Sequence, residues 1–493
     1  MELYQVEQLH VEQKALLEAT RKYLQGVAQE QEIHTVEGEI FRMTQRLGLV
    51  FMKEFLAQAG TGQVAGSCQT PAGQSLPLQD VKSCQYLSVF GRLEIPRAYY
   101  WEEGAAGYYP LDARLNLPER RYSYLLDQWA QAGIVEQAYD KATGALSGLL
   151  GIPIWKRGQE VVAREVAGAV NAFYQEQAVT EDEGPFLCAQ ADGKGVRMVP
   201  AEQPEATEAP EPARRGKGEK PGHRREALVT ALYSFTPESR SPEELVARLM
   251  RELDPEARKA ARKADRVREP RNKEVRACLY GKERAYELLL DRIAWRDPAG
   301  KKPIFMLLDG CSGLEARFLE AIQGRGWEAR VVGIGLDIIH VMEYVWEAGT
   351  ALHGEKGRGR VPWVRKTALS LLEGRVGRVI GALRQTLTKR GTDLKAAQKR
   401  ALEKVIRYFE NHRHLMRYDE WLERGFPIAT GVVEGACGAL VKDRTDASGM
   451  RWTRAGAQAV LDLRAVKKNG HWNEFWNYHV SQERRRLYGK VSA

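Results

Sequence analysis

Pro303-Ile304-Phe305-Met306-Leu307-Leu308-Asp309-Gly310 is an unbroken apolar run closed by an acid and a glycine. Apolar residues at consecutive rather than alternate positions mark a strand buried on both faces, the pattern of a sheet covered by helices. Downstream, the pattern predicts a helix over 313–323, a strand over 329–336, and a helix from Val341 to Glu347 opened by Asp337-Ile338-Ile339-His340. Upstream, Phe186 to Met198 reads as strand, turn, strand, with Asp192 at the end of the first and Gly193-Lys194-Gly195 in the turn. Ala227 to Phe235 reads as a third strand, and Pro242 to about Arg296 as a long helical region. Three strands, a helix, an acid-tipped strand, then helix and strand make an α/β core.

The 493 residues exceed one ordinary domain, and length alone suggests about two to four. With 43% hydrophobic and 28% charged residues the composition is that of a globular chain. No apolar run approaches the roughly 18 residues needed to span a membrane, and Met1-Glu2-Leu3-Tyr4-Gln5 lacks a secretory pattern. A cytosolic protein with no membrane partner is expected. The formal charge of +9 favours a polyanionic partner. Six scattered cysteines, at 68, 84, 188, 278, 311 and 437, form no Cys-x-x-Cys pair and suit reduced structural thiols.

Residues 1–60 read as a helical segment for packing or dimerisation, with Leu16, Leu17, Leu24, Leu47, Val50, Phe51 and Phe55 at three- and four-residue steps. A Gly/Ser/Pro-rich loop follows, then alternation over Tyr86–Tyr100 that suggests a small hairpin. Tyr122 to Gln175 reads as helices broken at Gly151-Ile152-Pro153, which is how a helix-turn-helix presents its last helix to a groove. Lys156, Arg157 and Arg164 would then touch DNA, although an ordinary helical bundle fits the same pattern. Residues 200–226 have the composition of a disordered loop. Between 251 and 302, 16 Lys and Arg stand against 10 Asp and Glu, which suits either a nucleic-acid-facing surface or a solvated helix.

Residues 348–428 are mostly polar helix, including Leu369–Leu387 and Lys395–Tyr408, and read as an inserted helical domain or arm. Beyond it, Thr430-Gly431-Val432-Val433-Glu434-Gly435-Ala436-Cys437 sets a carboxylate among small and apolar residues where a helix begins, a costly place unless a cation or donor meets it. Glu434, Asp192 and Asp309 converge if the acid-tipped runs are adjacent strands. Two-metal phosphodiester chemistry needs acidic ligands holding Mg²⁺ ions about 3.5–4 Å apart, and Mg²⁺ retains waters, so a few carboxylates suffice. Taken singly, each acid reads first as a turn residue or helix cap; it is the joint placement of the three that favours a site. A glycoside hydrolase would need paired acids in an aromatic-lined cleft, and the aromatic residues are not grouped around these acids.

These blocks carry a resemblance. Ala191-Asp192-Gly193-Lys194-Gly195-Val196, Leu308-Asp309-Gly310 with Gly313-Leu314, and Leu336-Asp337-Ile338-Ile339-His340-Val341-Met342-Glu343 run in order. Gly431 to Cys437, Lys442-Asp443-Arg444, Gly449-Met450-Arg451-Trp452 and Gly456 to Arg464 complete the set. Over roughly 180–490 the chain resembles a bacterial insertion-sequence transposase of the ISKra family, within the DDE transposases. The resemblance implies an α/β ribonuclease H-like catalytic core, a helical insertion and a mainly α N-terminal DNA-binding region. Asp192, Asp309 and Glu434 would be catalytic and would hold Mg²⁺, two ions being expected and Mn²⁺ able to substitute. Asp337 and His340 would support the site, with a hydrogen-bonded core histidine capped by Asp337 as the rival reading; Arg444, Arg451 and Trp452 would contact DNA or brace the Glu434 helix.

The implied divisions are a helical segment 1–60, a hairpin and helix-turn-helix-like region 61–178, and the first part of the core 179–347. The insertion 348–428 follows, then the last part of the core with a basic C-terminus, 429–493. The implied function is binding of terminal inverted repeats in double-stranded DNA, Mg²⁺-dependent cleavage and strand transfer, by a homo-oligomer that is at least a dimer on DNA. The alternative is a catalytically silent DNA-binding protein derived from such an enzyme. Many members of the family carry paired cysteines near the N-terminus; here Cys68 and Cys84 stand alone, so zinc is not expected, and the cluster Tyr99, Tyr100, Trp101, Tyr108, Tyr109 is the candidate replacement core.

Overall fold

The computed structural model describes residues 5–177, 182–200, 224–251, 256, 270–311, 313–390 and 392–489. The chain divides into two compact units, Met1–Ala169 with His471–Ala493, and Val170–Gly470. The first boundary thus falls nine residues before the expected 178/179, and the C-terminus from His471 belongs to the first unit rather than to the core.

In the first unit, helices Val6–Gln25 and Ile33–Ala59 precede two short paired strands, β1 (Cys68–Gln69) and β2 (Ser75–Leu76), and a long antiparallel hairpin, β3 (Leu78–Ser88) and β4 (Gly91–Tyr100). Leu56 packs on Leu93 and Ile95 of β4, with Cys84 at the margin of that cluster. Cys68 lies in a separate small core with Leu76, Ala98 and Tyr100, so the two cysteines have different neighbours. Tyr100 is fully buried, and its hydroxyl accepts a hydrogen bond from the Val64 amide at 2.8 Å. Helices Tyr124–Ile134, Tyr139–Leu150 and Lys156–Ala167 follow. A buried chain of amides holds the last against the first: Gln159 Nε2 donates to Asp127 at 2.7 Å, and Gln131 Nε2 to Gln159 Oε1 at 2.9 Å.

The second unit is a mixed α/β structure built on a five-stranded sheet. Its strands are β5 (Phe186–Arg197), β6 (Arg224–Phe235), β7 (Arg271–Cys278), β8 (Ile304–Leu308) and β9 (Val331–Leu336), in the order β7-β6-β5-β8-β9. β5, β6 and β7 pair antiparallel, while β8 and β9 run parallel to β5. Two expectations change here. Phe186 to Arg197 is one continuous strand, paired residue by residue with β6 from Phe235 to Arg224, so Gly193 and Gly195 lie in the ladder rather than in a turn. The long helix expected over 242–296 is helix Pro242–Leu249, strand β7 and helix Lys282–Arg296. Most of 252–269, like residues 201–223 of the expected loop, lies outside the described residues, and 224–226 begin β6.

β7 is held by tertiary contacts rather than by its own composition. Arg292 pairs with Glu274, and Arg296 donates to the carbonyl of Asn272 at 2.9 Å. On its outer side Gln458 accepts from Leu279 N at 2.7 Å and donates to Ala277 O at 2.8 Å, while Asn469 brackets both main-chain groups of Val275. Amide side chains thus close the edge of the sheet, where open main-chain groups would invite pairing.

The insertion is not a separate domain. Helices Ile338–His353, Arg360–Leu372, Val376–Arg390, Ala396–His412 and Tyr418–Glu423 share one hydrophobic cluster with Cys188, Phe305, Leu307 and Leu336 of the sheet. The helix expected over Leu369–Leu387 is two helices, broken at Gly374 with φ +74°. No helix among the described residues is long and apolar enough to cross a membrane.

Replacing Gln458 with alanine leaves a buried edge-strand amide and carbonyl without their partner, a loss of about 2 kcal/mol. Urea unfolding of the full chain should show a lower midpoint with an unchanged slope; an unchanged midpoint refutes the clamp.

Candidate active site

Register places the first two acids. Ala191 of β5 lies opposite Leu308 of β8, so the next residues, Asp192 and Asp309, sit side by side where the parallel pairing ends. Side chains alternate along β5, so Cys188, Gln190 and Asp192 share one face. The Asp192 carboxyl is held above the usual range. Burial is the main cause and the Asp309 charge adds to it, against a lowering by the Cys437 thiol. Asp309 is 6% exposed and accepts from the Cys311 amide and the Cys311 thiol, each at 2.9 Å. Burial and the neighbouring carboxylates push the Cys311 thiol up to about 12, and the Cys437 thiol shifts the same way. A thiol therefore backs each aspartate, a pairing that the scattered cysteines of the sequence gave no signal of.

Glu434 requires a correction. It begins helix Gly431–Ala436 as expected, but Val433 and Ala436 take the buried face and Glu434 is exposed, so the costly burial inferred for it does not arise. It lies one turn before Cys437, whose thiol contacts Asp192, and residues three apart share a helix face. Among the described residues, no three His, Cys, Asp or Glu side chains come together closely enough to hold a metal ion. The two aspartates are paired and Glu434 is not grouped with them.

Two buried polar side chains fix the start of the Glu434 helix to the sheet. Asp337, fully buried, caps helix Ile338–His353 by accepting from Ile339 N and His340 N, and also accepts from Thr430 N at 3.0 Å. Its own amide donates to Leu308 O at 2.7 Å, one residue before Asp309. Gln190, also fully buried, accepts from Val433 N at 3.1 Å and donates to the Tyr233 hydroxyl at 3.1 Å. Sequence reasoning passed over Gln190, although its place two residues before Asp192 on one strand face was a usable signal. His340 Nδ1 lies 2.8 Å from Asp337, so the capped-histidine geometry is present.

The insertion reaches the turn after Asp309. The Tyr408 hydroxyl donates to Asp309 O at 3.3 Å, and His412 Nε2 lies 3.1 Å from Gly310 O. The Tyr408 ring stacks on Tyr344 at 3.7 Å between centroids. Gly310, at φ +86°, is required here, since a Cβ would meet Tyr408 Oη at 2.7 Å.

The expected DNA contacts divide. Lys156, Arg157 and Arg164 are exposed on helix Lys156–Ala167, with Lys156 3.3 Å from Asp140. Arg451 is exposed. Arg444 and Trp452 are buried, the guanidinium lying 4.7 Å from the indole, and Trp452 N donates to Arg197 O at 3.0 Å; both brace the segment after the Glu434 helix rather than meeting a ligand. No protein-family model matches the sequence, and no curated protein sequence matches it significantly.

The Asp337–His340 pair sets a pH window. His340 is raised from 6.5 to about 9, chiefly by its hydrogen bond to Asp337 and against burial. Its contribution to stability is complete below pH 6.5 and is lost as pH rises through about 9. Asp337 is lowered from 3.8: burial alone would raise it, and hydrogen bonds from His340, Thr430 N and Ile339 N outweigh that. Its contribution is complete above pH 3.8 and lost below the lowered value. The stability difference between the unaltered protein and His340→Gln should be constant from about pH 5 to 6.5 and shrink towards pH 9; a difference flat to pH 10 refutes the pairing.

Tyr408→Phe keeps the ring stack and removes one hydrogen bond to the Asp309 carbonyl, so it should lower thermal stability by about 1 kcal/mol. Tyr408→Ala should lower it by at least about 3 kcal/mol. Equal melting temperatures for the two variants contradict this account.

Proposed function

We propose that the chain is a DNA transposase of the DDE class, with a ribonuclease H-like core, that cleaves and joins phosphodiester bonds with Mg²⁺. The observation that carries this reading is the pairing of Asp192 and Asp309 at one level of neighbouring parallel strands. A mixed sheet of three antiparallel strands followed by two parallel ones, in the order β7-β6-β5-β8-β9, supports an α/β core of that kind. Two neighbouring carboxyls cannot both be ionised at little cost, and a divalent cation relieves the repulsion as a shared proton does.

The donor set suits a hard cation. Mg²⁺ is held by one or two carboxylates with waters completing its shell, so Asp192 and Asp309 would bind it, with Mn²⁺ as a substitute and Glu434 as the third carboxylate on the adjoining helix. Bound there, the cation would supply charge stabilisation at the scissile phosphate and an activated water or hydroxyl. The protein's own part is positioning: Gln190 and Asp337 fix the helix that carries Glu434, and the Cys437 and Cys311 thiols orient the two aspartates. Exposed Lys156, Arg157 and Arg164 on the last of three short helices support duplex binding by the first unit, and two DNA ends held together call for a homo-oligomer.

Strand transfer of labelled terminal-repeat DNA in Mg²⁺ tests the reading. Asp192→Asn and Asp309→Asn should each lower product formation at least about 10³-fold while leaving DNA affinity within about threefold, as removal of a transition-state interaction does. Glu434→Gln should do the same, and full activity in that variant removes Glu434 from the chemistry. Tight binding of every end with cleavage of none would establish the silent DNA-binding alternative instead.

A further inference from the structure

We infer that the helical insertion is a second docking surface for the phosphate backbone of duplex DNA, separate from the helix-turn-helix. Between residues 355 and 400 the sequence holds thirteen Lys and Arg against three Asp and Glu, a surplus of ten where the whole chain has nine. All of the chain's net positive charge thus belongs to this one segment.

Part of the charge is met within the chain, Arg375 pairing with Glu373 at 3.0 Å and Arg384 with Glu410, while Arg378, Lys389 and Arg390 are exposed. Helix Val376–Arg390 contains four cations and no acid. Val376, Val379, Ile380 and Leu383 face the core, and Arg378, Gly381, Ala382, Gln385 and Lys389 share the exposed face. A Cβ at Gly381 would meet nothing within 4 Å, so a phosphate backbone can come close to the helix there. Lys389 and Arg390 in the last turn would also complement the helix dipole, but Arg378 near its start does not, and dipole compensation leaves it unexplained. An acidic protein surface would be a weaker fit, since the face offers Gly, Ala and Gln between its cations and no apolar anchor of the kind that dominates protein interfaces.

This surface belongs to the same unit as the acids. Helix Ala396–His412 packs within the same cluster as helix Val376–Arg390 and carries Tyr408, which bonds the Asp309 carbonyl. Duplex seated on the insertion is therefore linked through one packed core to the turn of the second aspartate. The identity of the polyanion rests on the transposase reading; the charge and its display do not.

The test is the salt dependence of affinity for a 30-base-pair duplex of arbitrary sequence, measured by fluorescence anisotropy on the full chain without divalent metal. Each phosphate contact contributes about 0.9 to the slope of log affinity against log salt. The triple variant Arg378→Gln, Lys389→Gln, Arg390→Gln should therefore show a slope shallower by about 2.7. Between 50 and 200 mM salt the unaltered protein should then lose roughly 40-fold more affinity than the variant. The control Arg21→Gln, Lys22→Gln, Arg46→Gln removes the same charge from exposed positions of the N-terminal helices and should leave the slope within about 0.5. An unchanged slope in the first variant, or an equal drop in the control, overturns the proposal. So does a loss seen with RNA or phosphatidylserine vesicles and not with duplex. Because no cleavage is read, a chain that binds as described and joins no DNA would refute the catalytic reading while leaving this one standing.

Discussion

Two carboxyl groups brought to one level of adjacent parallel strands impose a constraint that the rest of the second unit answers. Asp192 and Asp309 are neighbours because Ala191 and Leu308 are paired, and the electrostatic cost of that closeness persists whether or not a ligand is bound. Each acid is met on its flank by a thiol, from Cys437 and from Cys311. A neutral donor of this kind can satisfy a carboxylate lone pair without supplying a counter-charge, so it fixes the oxygen while leaving the repulsion within the pair in place. Ammonium or guanidinium groups at the same positions would have supplied that counter-charge.

Holding the Glu434 helix beside that pair falls to uncharged amides and one capped carboxylate. Gln190 reaches Val433 N from the strand that carries Asp192, and Asp337 reaches Thr430 N from the residue whose own amide bonds Leu308. Both clamps originate within two residues or one hydrogen bond of the aspartates, so the helix start is referenced to the acids themselves. Glu434 then emerges on the solvent side one turn later, free of burial, consistent with a ligand or substrate meeting it from outside.

Legibility in the sequence followed the source of each element's stability. β8 could be read because its burial is written into five consecutive apolar residues. β7 could not: Arg271-Asn272-Lys273-Glu274-Val275-Arg276 is a polar segment, and its strand form depends on Arg292, Arg296, Gln458 and Asn469, all distant in sequence. Gly193 and Gly195 resemble turn residues, yet they lie in the ladder with β6 within one strand. The aspartates were visible as acids ending apolar runs, whereas Gln190, Tyr408 and the two thiols are single residues with no motif around them. Small residues beside Glu434 announced a helix start but did not say which face is buried. Burial on a short helix is decided by what packs against it.

The insertion shows how one hydrophobic core can serve two tasks. Its helices bury Val364, Val379, Val405 and Phe409 in the same cluster as Phe305 and Leu307 of β8, so one packed core joins the charged outer face to the strand that precedes Asp309. Close-packed interiors transmit displacement because they compress little. A load on the outer helix face therefore reaches the turn after β8 through Phe409, its neighbour Tyr408 and the Asp309 carbonyl that Tyr408 holds. An arm joined by a flexible linker would move independently of β8; packed into the shared core, the insertion is held in a fixed position relative to the turn of the second aspartate.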